Sequence, residues 1–210
     1  VPAVVLGTGQ EHAREVCLEA ASAAGIPILR RHSGGGAVLI GPGILNYSAC
    51  YPFELLPGSE TITGAMRAAL APVRAALSRL GVAAEFAGLS DLAVISPSGE
   101  GAGTLRKIAG HSQARKRRSV LVHGTLLASP DWGLLDKLLS FPSRVPDYRA
   151  GRGHRAFLTS LEELGVAADL ETFVRALALE LGTGGLPLSR ISQPSAVELE
   201  VANSLHAEKY

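Results

Sequence analysis

The sequence predicts an α+β domain, and three patterns support that fold class. Short apolar runs that end at glycine or proline are followed by stretches with helical spacing, as at residues 3–6 and then 11–24. Two strand-like segments flank the basic cluster at residues 115–118, which is typical of a hairpin with a charged turn. Strands and hairpins interspersed with helices indicate a mixed or antiparallel sheet flanked by helices.

The composition is that of a globular protein. Of the 210 residues, 47% are hydrophobic and 19% are charged, which excludes a disordered chain. Twenty basic residues against nineteen acidic ones give a formal charge of +1, so no strong field attracts nucleic acid or a membrane surface. No apolar run reaches the roughly 20 residues that a membrane span needs. We therefore expect a cytoplasmic protein in which Cys17 and Cys50 are reduced.

The first half of the chain alternates between strands and helices. Glycine, proline and apolar spacing predict strands at 3–6, 28–29, 37–40, 44–51, 82–86 and 91–95, with helices at 11–24 and 62–80. The turn at 41–43 suggests a hairpin between the third and fourth strands. Pro72 lies inside the long helix, and we expect it to kink or break that helix near residues 68–71.

The second half begins with a hairpin and ends in helices. Residues 107–114 and 119–125 predict its two strands, and the proline- and glycine-rich residues 142–154 predict a long surface loop. Ser160 and Glu163 have the spacing of a capping box, so a helix is expected from there to Gly182. A last helix is expected from residue 196 to the end.

Three consecutive glycines form the most informative motif. Gly34, Gly35 and Gly36 lie between Arg30-Arg31 and an apolar strand. Glycine lets the backbone approach a ligand closely, so successive N–H groups can converge on phosphate oxygens while an arginine supplies charge. Neither a Walker loop nor a dinucleotide fingerprint is present. The pattern alone leaves open a glycine-rich hairpin or bulge with two solvated arginines.

Lys107 is the second candidate for chemistry. On a regular strand it would share a face with Ala109 and His111, opposite to Ile108 and Gly110. A lysine in a pocket between a phosphate and a carboxylate would neutralise both and stabilise the charge that develops as they join. Most strand lysines do not have such a role, and the pattern alone favours a solvent-exposed lysine.

Five segments in this order resemble the motifs of the lipoate-protein ligase family, which is grouped with biotin-protein ligases and octanoyltransferases. They are residues 30–38, 43–48, 91–92, 107–113 and 123–127, and the likeness extends over nearly the whole chain. Residues 7–10 look like the family's early Gly-x-x-Gln turn, although many members have arginine where this chain has Thr8. The resemblance implies one catalytic domain over residues 1–210. An opening element would be missing before Val1, and there would be no C-terminal accessory domain.

The resemblance implies an ATP-dependent ligase that works in two half-reactions. Lipoate attacks the α-phosphate of ATP to give lipoyl-adenylate, and a lysine of an acceptor domain then attacks the mixed anhydride. Lys107 would be catalytic and would contact both the lipoyl carboxyl and the phosphate. Asp91 would bind substrate and either hold Mg²⁺ or pair with Lys107, and an apolar slot near Leu45, Tyr47 and Val122 would hold the acyl chain. The other residues that the likeness assigns to ATP or substrate binding are Arg31, Ser33, Gly34, Gly35, Gly36, Ala37, Val38, Leu39, Gly110, His123 and Gly124.

The implied partner is a lipoyl acceptor domain, such as that of the E2 subunit of a 2-oxoacid dehydrogenase or the glycine-cleavage H protein. A separate accessory subunit could complete the reaction where the chain lacks an accessory domain. The cluster at residues 115–118 is either a solvated turn or a docking site for an acidic acceptor. Nucleic acid is not expected as a partner because no aromatic residues are interleaved with the basic ones.

Two other functions stay open at this point. An octanoyl or lipoyl transferase would need a cysteine nucleophile, but the chain has no cysteine after Cys50. A non-catalytic subunit could bind lipoate or nucleotide within an assembly. A zinc site at His111 and His123 is disfavoured because no third ligand is evident.

Overall fold

The computed structural model of the chain describes residues 1–97, 100–166, 170–183 and 193–209. Within them the strands form two sheets, and helices pack against each of the two. This arrangement confirms the predicted α+β class.

The smaller sheet has three strands in the order β2-β1-β3. Strand β1 covers Ala3–Leu6 and runs parallel to β2, Ile28–Arg30, whereas β3, Val38–Ile40, pairs with β1 in the antiparallel direction. Two short helices, α1 at His12–Glu15 and α2 at Leu18–Ala23, connect β1 to β2.

The larger sheet is antiparallel and has five strands in the order β4-β8-β7-β6-β5. The strands are β4 at Ile44–Pro52, β5 at Glu85–Ala87, β6 at Asp91–Ile95, β7 at Leu105–Arg115 and β8 at Ser119–Leu127. Strands β7 and β8 form the predicted hairpin with the basic turn at its tip.

Five more helices complete the described fold. They are α3 at Ile62–Arg79, α4 at Trp132–Leu138, α5 at His154–Phe157, α6 at Leu170–Thr183 and α7 at Ala196–Lys209. One apolar core joins the larger sheet to α3 and α6, where Leu70, Leu77 and Phe173 are fully buried. A second core lies between the smaller sheet and the helices α2 and α4. None of the described helices combines the length and apolar character of a membrane span.

The predicted hairpin at residues 41–43 is wrong, since β3 pairs with β1 while β4 pairs with β8. The turn instead carries the chain from one sheet to the other. Gly43 has φ +76°, and its carbonyl accepts the N–H groups of Ala128 and Ser129, both at 2.9 Å. A Cβ at Gly43 would lie 1.9 Å from the Ser129 carbonyl oxygen, so the crossing depends on glycine.

Two helix predictions are also corrected. The single helix expected at residues 11–24 is divided at Val16, which bridges to Leu139, because Cys17 donates its N–H to the carbonyl of Leu138. The long helix α3 is not broken at Pro72. Leu70 and Val73 on either side of the proline are buried, and this packing offsets a cost of about 3 kcal/mol for an internal proline.

The capping bond expected at Ser160 is present, because its hydroxyl oxygen accepts the N–H of Glu163 at 3.2 Å. It stabilises an isolated turn rather than a long helix, however. That turn ends at Gly165, whose φ is +73°, and helix α6 begins only at Leu170. Residues 167–169 of the predicted helix lie outside the described residues.

Candidate active site

A cavity of about 340 Å³ lies between the two sheets. The smaller sheet contributes Val5, Val38 and Ile40 to its walls, and the larger sheet contributes Tyr47 and Lys107. The cavity adjoins an apolar pocket of about 100 Å³ and a wider cleft of about 970 Å³. Lys107 lines all three spaces and therefore lies at their junction.

The triglycine segment is held in place by Arg31. The Nη2 group of Arg31 donates to the carbonyls of Gly34 at 2.6 Å and Gly36 at 2.9 Å, and Nη1 donates to the carbonyl of Val5 at 3.2 Å. Nε donates to the hydroxyl of Ser33 at 3.1 Å. The arginine therefore fixes the shape of its own loop, and burial lowers its pKa.

The early Gly-x-x-Gln turn packs against the triglycine segment, and this close approach requires glycine at position 7. A Cβ at Gly7 would lie 2.1 Å from the carbonyl oxygen of Gly35, a separation that backbone cannot tolerate. The turn closes on itself because Gly7 N–H donates to Oε1 of Gln10 at 2.9 Å. It is joined to the glycine loop by a bond from Thr8 N–H to the Ser33 carbonyl, also 2.9 Å.

His123 on β8 joins the glycine loop to the larger sheet. Its Nε2 lies 2.5 Å from the Ser33 hydroxyl, the same group that accepts from Arg31. Burial, and then the charge of Arg31, lower the pKa of His123. The ring is therefore neutral near pH 7, and Ser33 can donate to Nε2 while it accepts from Arg31.

Lys107 forms an ion pair inside the site. Its Nζ lies 2.8 Å from Oδ1 of Asp91, and the Tyr148 hydroxyl donates to Oδ2 of the same carboxylate at 2.8 Å. Asp91 is 7% exposed, so both bonds form in a largely dry environment. Burial, and then the Asp91 charge, raise the pKa of Tyr148, which keeps its hydroxyl protonated as a donor.

The strand alternation predicted around Lys107 is wrong. The pairing of β6 with β7 shifts register, so that Leu92 pairs with Ala109 while Ala93 pairs with Lys107. This bulge buries both Ile108 and Ala109 and brings Lys107 onto the side of Gly110. A Cβ at Gly110 would lie 2.5 Å from Cε and Nζ of Lys107, so the lysine side chain crosses directly over that glycine.

His111 is a packed, neutral side chain in the wall. Its Nδ1 donates to the Ser90 carbonyl at 2.8 Å, and Nε2 accepts a short hydrogen bond from the Tyr47 hydroxyl. Burial lowers the pKa of His111 to about 4, with Lys107 contributing to the same direction. Among the described residues no group of three or more His, Cys, Asp or Glu side chains has the arrangement of a metal site.

The structure brings the candidate residues together. The main cavity is lined by Arg31, Gly35, Gly36, Ala37, Val38, Asp91, Lys107, Gly110, His123 and Gly124. Leu39 lines the apolar pocket and Gly34 the cleft, while Ser33 is buried behind His123. The roles that the resemblance assigns to these residues stay predictions.

Two expectations about the site need correction. Leu45 and Val122 were expected to line an acyl slot, but both lie in the apolar core of the larger sheet, and only Tyr47 of that set reaches the cavity. Tyr148 and Arg149 were missed as wall residues. The proline- and glycine-rich composition of residues 142–154 predicted a long surface loop but no role for these two side chains.

Neither cysteine belongs to these spaces. Cys17 caps helix α2, and Cys50 is exposed on strand β4. Neither lines the main cavity, the apolar pocket or the cleft.

Residues 1–182 match the family model described as the lipoyl protein ligase A/B catalytic domain. The chain belongs to this family. Members include ligases and acyltransferases, and this protein is therefore an enzyme of the lipoate ligase and transferase family.

Curated relatives of both kinds, ligases and acyltransferases, are similar to this chain. The octanoyltransferase LipM of Symbiobacterium thermophilum is 33% identical over 88% of this chain and 74% of its own length. The lipoate-protein ligase LplJ of Bacillus subtilis is 32% identical over 60% of this chain, and the matched region is 34% of that enzyme's length. The octanoyl-[GcvH]:protein N-octanoyltransferase of Kyrpidia tusciae is 37% identical over 51% of this chain.

Solved structures share the fold. One is a bipartite lipoate protein ligase from Thermoplasma acidophilum, whose structure was studied with its E2 lipoyl domain. It has a TM-score of 0.83 and 24% identity, and the match spans 100% of this chain and 77% of the solved chain. A lipoate-protein ligase A bound with ATP has a TM-score of 0.80, also with 24% identity, and this chain covers 79% of it.

Proposed function

We propose that this family member is an ATP-dependent lipoate-protein ligase that makes lipoyl-adenylate and transfers the lipoyl group to an acceptor lysine. Because relatives of both kinds match, the choice between ligase and transferase rests on this chain's own residues. The position of Lys107 at the junction of three spaces, opposite the triglycine segment, carries the proposal. A cation at that point can contact a carboxylate and a phosphate at the same time.

In the first step, a carboxylate oxygen of lipoate attacks the α-phosphorus of ATP, and the bond from the α-phosphorus to the bridging oxygen breaks. Pyrophosphate leaves with that electron pair. Lys107 reduces the repulsion between the two anions and holds them in line, an effect that can reach about 7 kcal/mol. Backbone N–H groups of the glycine segment are suited to binding phosphate oxygens there.

In the second step, the amine of an acceptor lysine attacks the acyl carbon, and AMP leaves. An acceptor of the lipoyl-domain or H-protein type fits this step, since relatives are named for work with an E2 lipoyl domain and with GcvH. A separate accessory subunit is part of the proposal, because one structural neighbour is described as bipartite.

Magnesium would neutralise the triphosphate of ATP, as it does for nucleotides in general. The prediction that Asp91 holds this ion stays a prediction. Both carboxylate oxygens of Asp91 already have partners, Lys107 and Tyr148, so the residue fits better as the counterion of Lys107.

The second candidate is an octanoyltransferase without ATP, favoured by the match to LipM over 88% of this chain. A transferase of the thioester type needs a thiol in reach of the acyl group. Cys17 and Cys50 lie outside all three spaces, and this arrangement favours adenylate chemistry.

Release of pyrophosphate from ATP and free lipoate tests the proposal. We expect release by the wild-type protein and a loss of about 10³-fold in Lys107→Ala, since a preorganised charge at the reacting atoms is removed. The matched control is Lys137→Ala, an exposed lysine of α4, which should retain wild-type activity. Transfer from an octanoylated carrier protein without ATP, together with no release of pyrophosphate, would identify a transferase. Activity of Lys107→Ala near wild type would remove the assigned mechanism.

A further inference from the structure

Arg149 is a buried arginine on the loop that covers the cleft. It belongs to a short 3₁₀ turn at Asp147–Arg149, and it is 4% exposed. Its guanidinium lies between two aromatic rings, 4.7 Å from the centroid of Phe141 and 4.8 Å from that of Phe157. The rings fix its position but provide no hydrogen-bond acceptor.

The hydrogen bonding of this guanidinium is incomplete. Nε donates to the carbonyl of Arg152 at 2.8 Å, but Nη2 is buried and has no hydrogen-bond partner among the described residues. No carboxylate forms a salt bridge with Arg149 within the part of the chain that the structure describes. Burial, and then the nearby charge of Arg152, lower the pKa of Arg149. A buried donor on a charged group without a partner costs more than the roughly 1–3 kcal/mol of a neutral one.

The loop does not require this arrangement for its own stability. Arg152 holds it with bonds to Thr104 Oγ1 at 2.7 Å and to the carbonyls of Leu105 at 3.0 Å and Tyr148 at 2.7 Å. Bonds to two more carbonyls, of Arg149 and Ala156, complete its set. One arginine therefore anchors the loop, while its neighbour keeps an unused donor.

Arg149 also lies in the walls of two spaces that could hold a ligand. It lines the apolar pocket and the cleft, and it shares both spaces with Lys107. The triglycine segment lies on the cleft as well. An anion in this region would be in reach of two side-chain cations and a set of backbone N–H groups.

We propose that Arg149 binds the triphosphate of ATP as a second cation beside Lys107. This inference rests on the proposed function and adds a phosphate-binding residue to it. Negative charge accumulates on the pyrophosphate as the bond to the α-phosphorus breaks. A guanidinium can stabilise that charge by donating two hydrogen bonds to phosphate oxygens. Lys107, which must also contact the carboxylate, cannot by itself neutralise the whole phosphate chain.

The test compares ATP with adenosine as ligands in calorimetric titrations of the intact chain. Arg149→Gln should weaken ATP about 30-fold, the equivalent of one charged hydrogen-bonded contact, and leave adenosine unchanged. Arg149→Lys keeps the charge and should weaken ATP only about 5-fold. A purely structural role would weaken both ligands equally, so the ratio of the two affinities is decisive.

The matched control is Arg144→Gln, the same charge change on an exposed residue of the same loop that also lines the cleft. We expect it to weaken ATP by less than about 3-fold, since an exposed charge is screened. Equal losses in Arg144→Gln and Arg149→Gln would overturn the proposal, as would an unchanged ATP-to-adenosine ratio in Arg149→Gln. If Arg149→Gln does not fold, an ATP affinity of Arg149→Lys equal to wild type would overturn it.

The outcomes separate this inference from the proposed function. Pyrophosphate release by wild type with normal ATP binding by Arg149→Gln would remove the inference alone. ATP binding that depends on Arg149, without release of pyrophosphate from lipoate and ATP, would remove the ligase assignment and keep the phosphate site. A wild-type protein that does not bind ATP would overturn both.

Discussion

The strand side and the loop side of the site each contribute an arginine, half-buried Arg31 and buried Arg149, and the two residues are bonded very differently. Arg31 on the strand side donates from all three nitrogens, to Ser33 and to the carbonyls of Val5, Gly34 and Gly36. Among the described residues, Arg149 on the loop side donates only from Nε and keeps an unpartnered Nη2. The first arginine uses its donors to build the wall, whereas the second keeps a donor that these residues do not use. A basic residue beside a glycine run is thus not automatically its anion ligand.

The largest contrast is expected in stability. Arg31→Met removes two partly buried charged hydrogen bonds, to Ser33 and Val5, and should lower the free energy of unfolding by roughly 4 kcal/mol. Arg149→Met loses the bond from Nε to the Arg152 carbonyl but also removes the buried, unpartnered Nη2, so its change should stay within about 1 kcal/mol. Urea unfolding of both variants measures the difference. Equal losses would make Arg149 a structural residue like Arg31.

The strand side should also be sensitive to acid through His111. Its folded pKa of about 4 lies below the unfolded value of 6.5, so the unfolded chain takes up the proton first. Stability should therefore fall by roughly 3 kcal/mol as the pH decreases from 6.5 to 4. Denaturant titrations across that range should show a flatter dependence in His111→Gln. An equally steep decline in that variant would place the titrating group elsewhere.

Gly110→Ala separates the chemistry from the fold. The added Cβ would lie 2.5 Å from Cε and Nζ of Lys107 and 3.7 Å from Oδ1 of Asp91, and would displace the flexible ammonium. We expect about a 100-fold loss of adenylate formation, ~2.7 kcal/mol in activation free energy, with a smaller loss of unfolding free energy than in Gly124→Ala. Gly124→Ala is the contrasting control, since its Cβ would lie 2.7 Å from the Gly110 carbonyl and 2.2 Å from the His111 ring. That variant should be destabilised, and full activity in Gly110→Ala would contradict the placement of Lys107.

The smallest effect is expected from Tyr148→Phe. The change removes one hydrogen bond to Asp91 but leaves the ion pair with Lys107, so about 1 kcal/mol of stability and a few-fold of activity should be lost. Asp91→Asn should lose more activity, because it also removes the counterion of Lys107. Thermal unfolding and pyrophosphate release measure the two effects. A larger loss in Tyr148→Phe than in Asp91→Asn would mean that the loop side, rather than the ion pair, positions the lysine.

Much of the fold follows from local patterns in the sequence. Alternating apolar residues and a charged turn specify the β7–β8 hairpin, and helical spacing specifies α3 even across Pro72. The turn at residues 41–43 looked like a hairpin because glycine and proline mark a reversal without saying which strands will pair. Pairing partners are set by tertiary packing, and local patterns do not contain that information.

The part of the site that consists of recognisable sequence motifs was predictable from the sequence. Lys107, Asp91 and the triglycine segment were identified from the sequence, and the structure places them around one cavity. The face that Lys107 shares with Gly110 was not predictable, because a bulge interrupts the two-residue period. Arg149 was missed because its burial depends on two phenylalanine rings that the loop and helix α5 bring together.

The bond between Lys107 and Asp91 has a consequence for turnover. An incoming acid does not meet a free ammonium, because Asp91 already accepts from one of its three N–H groups. The net electrostatic gain on ligand entry is therefore smaller than it would be with an unpaired lysine. In the proposed ligase Asp91 would still face Lys107 after acyl transfer, and we expect its carboxylate to compete with AMP for the ammonium and so to favour product release.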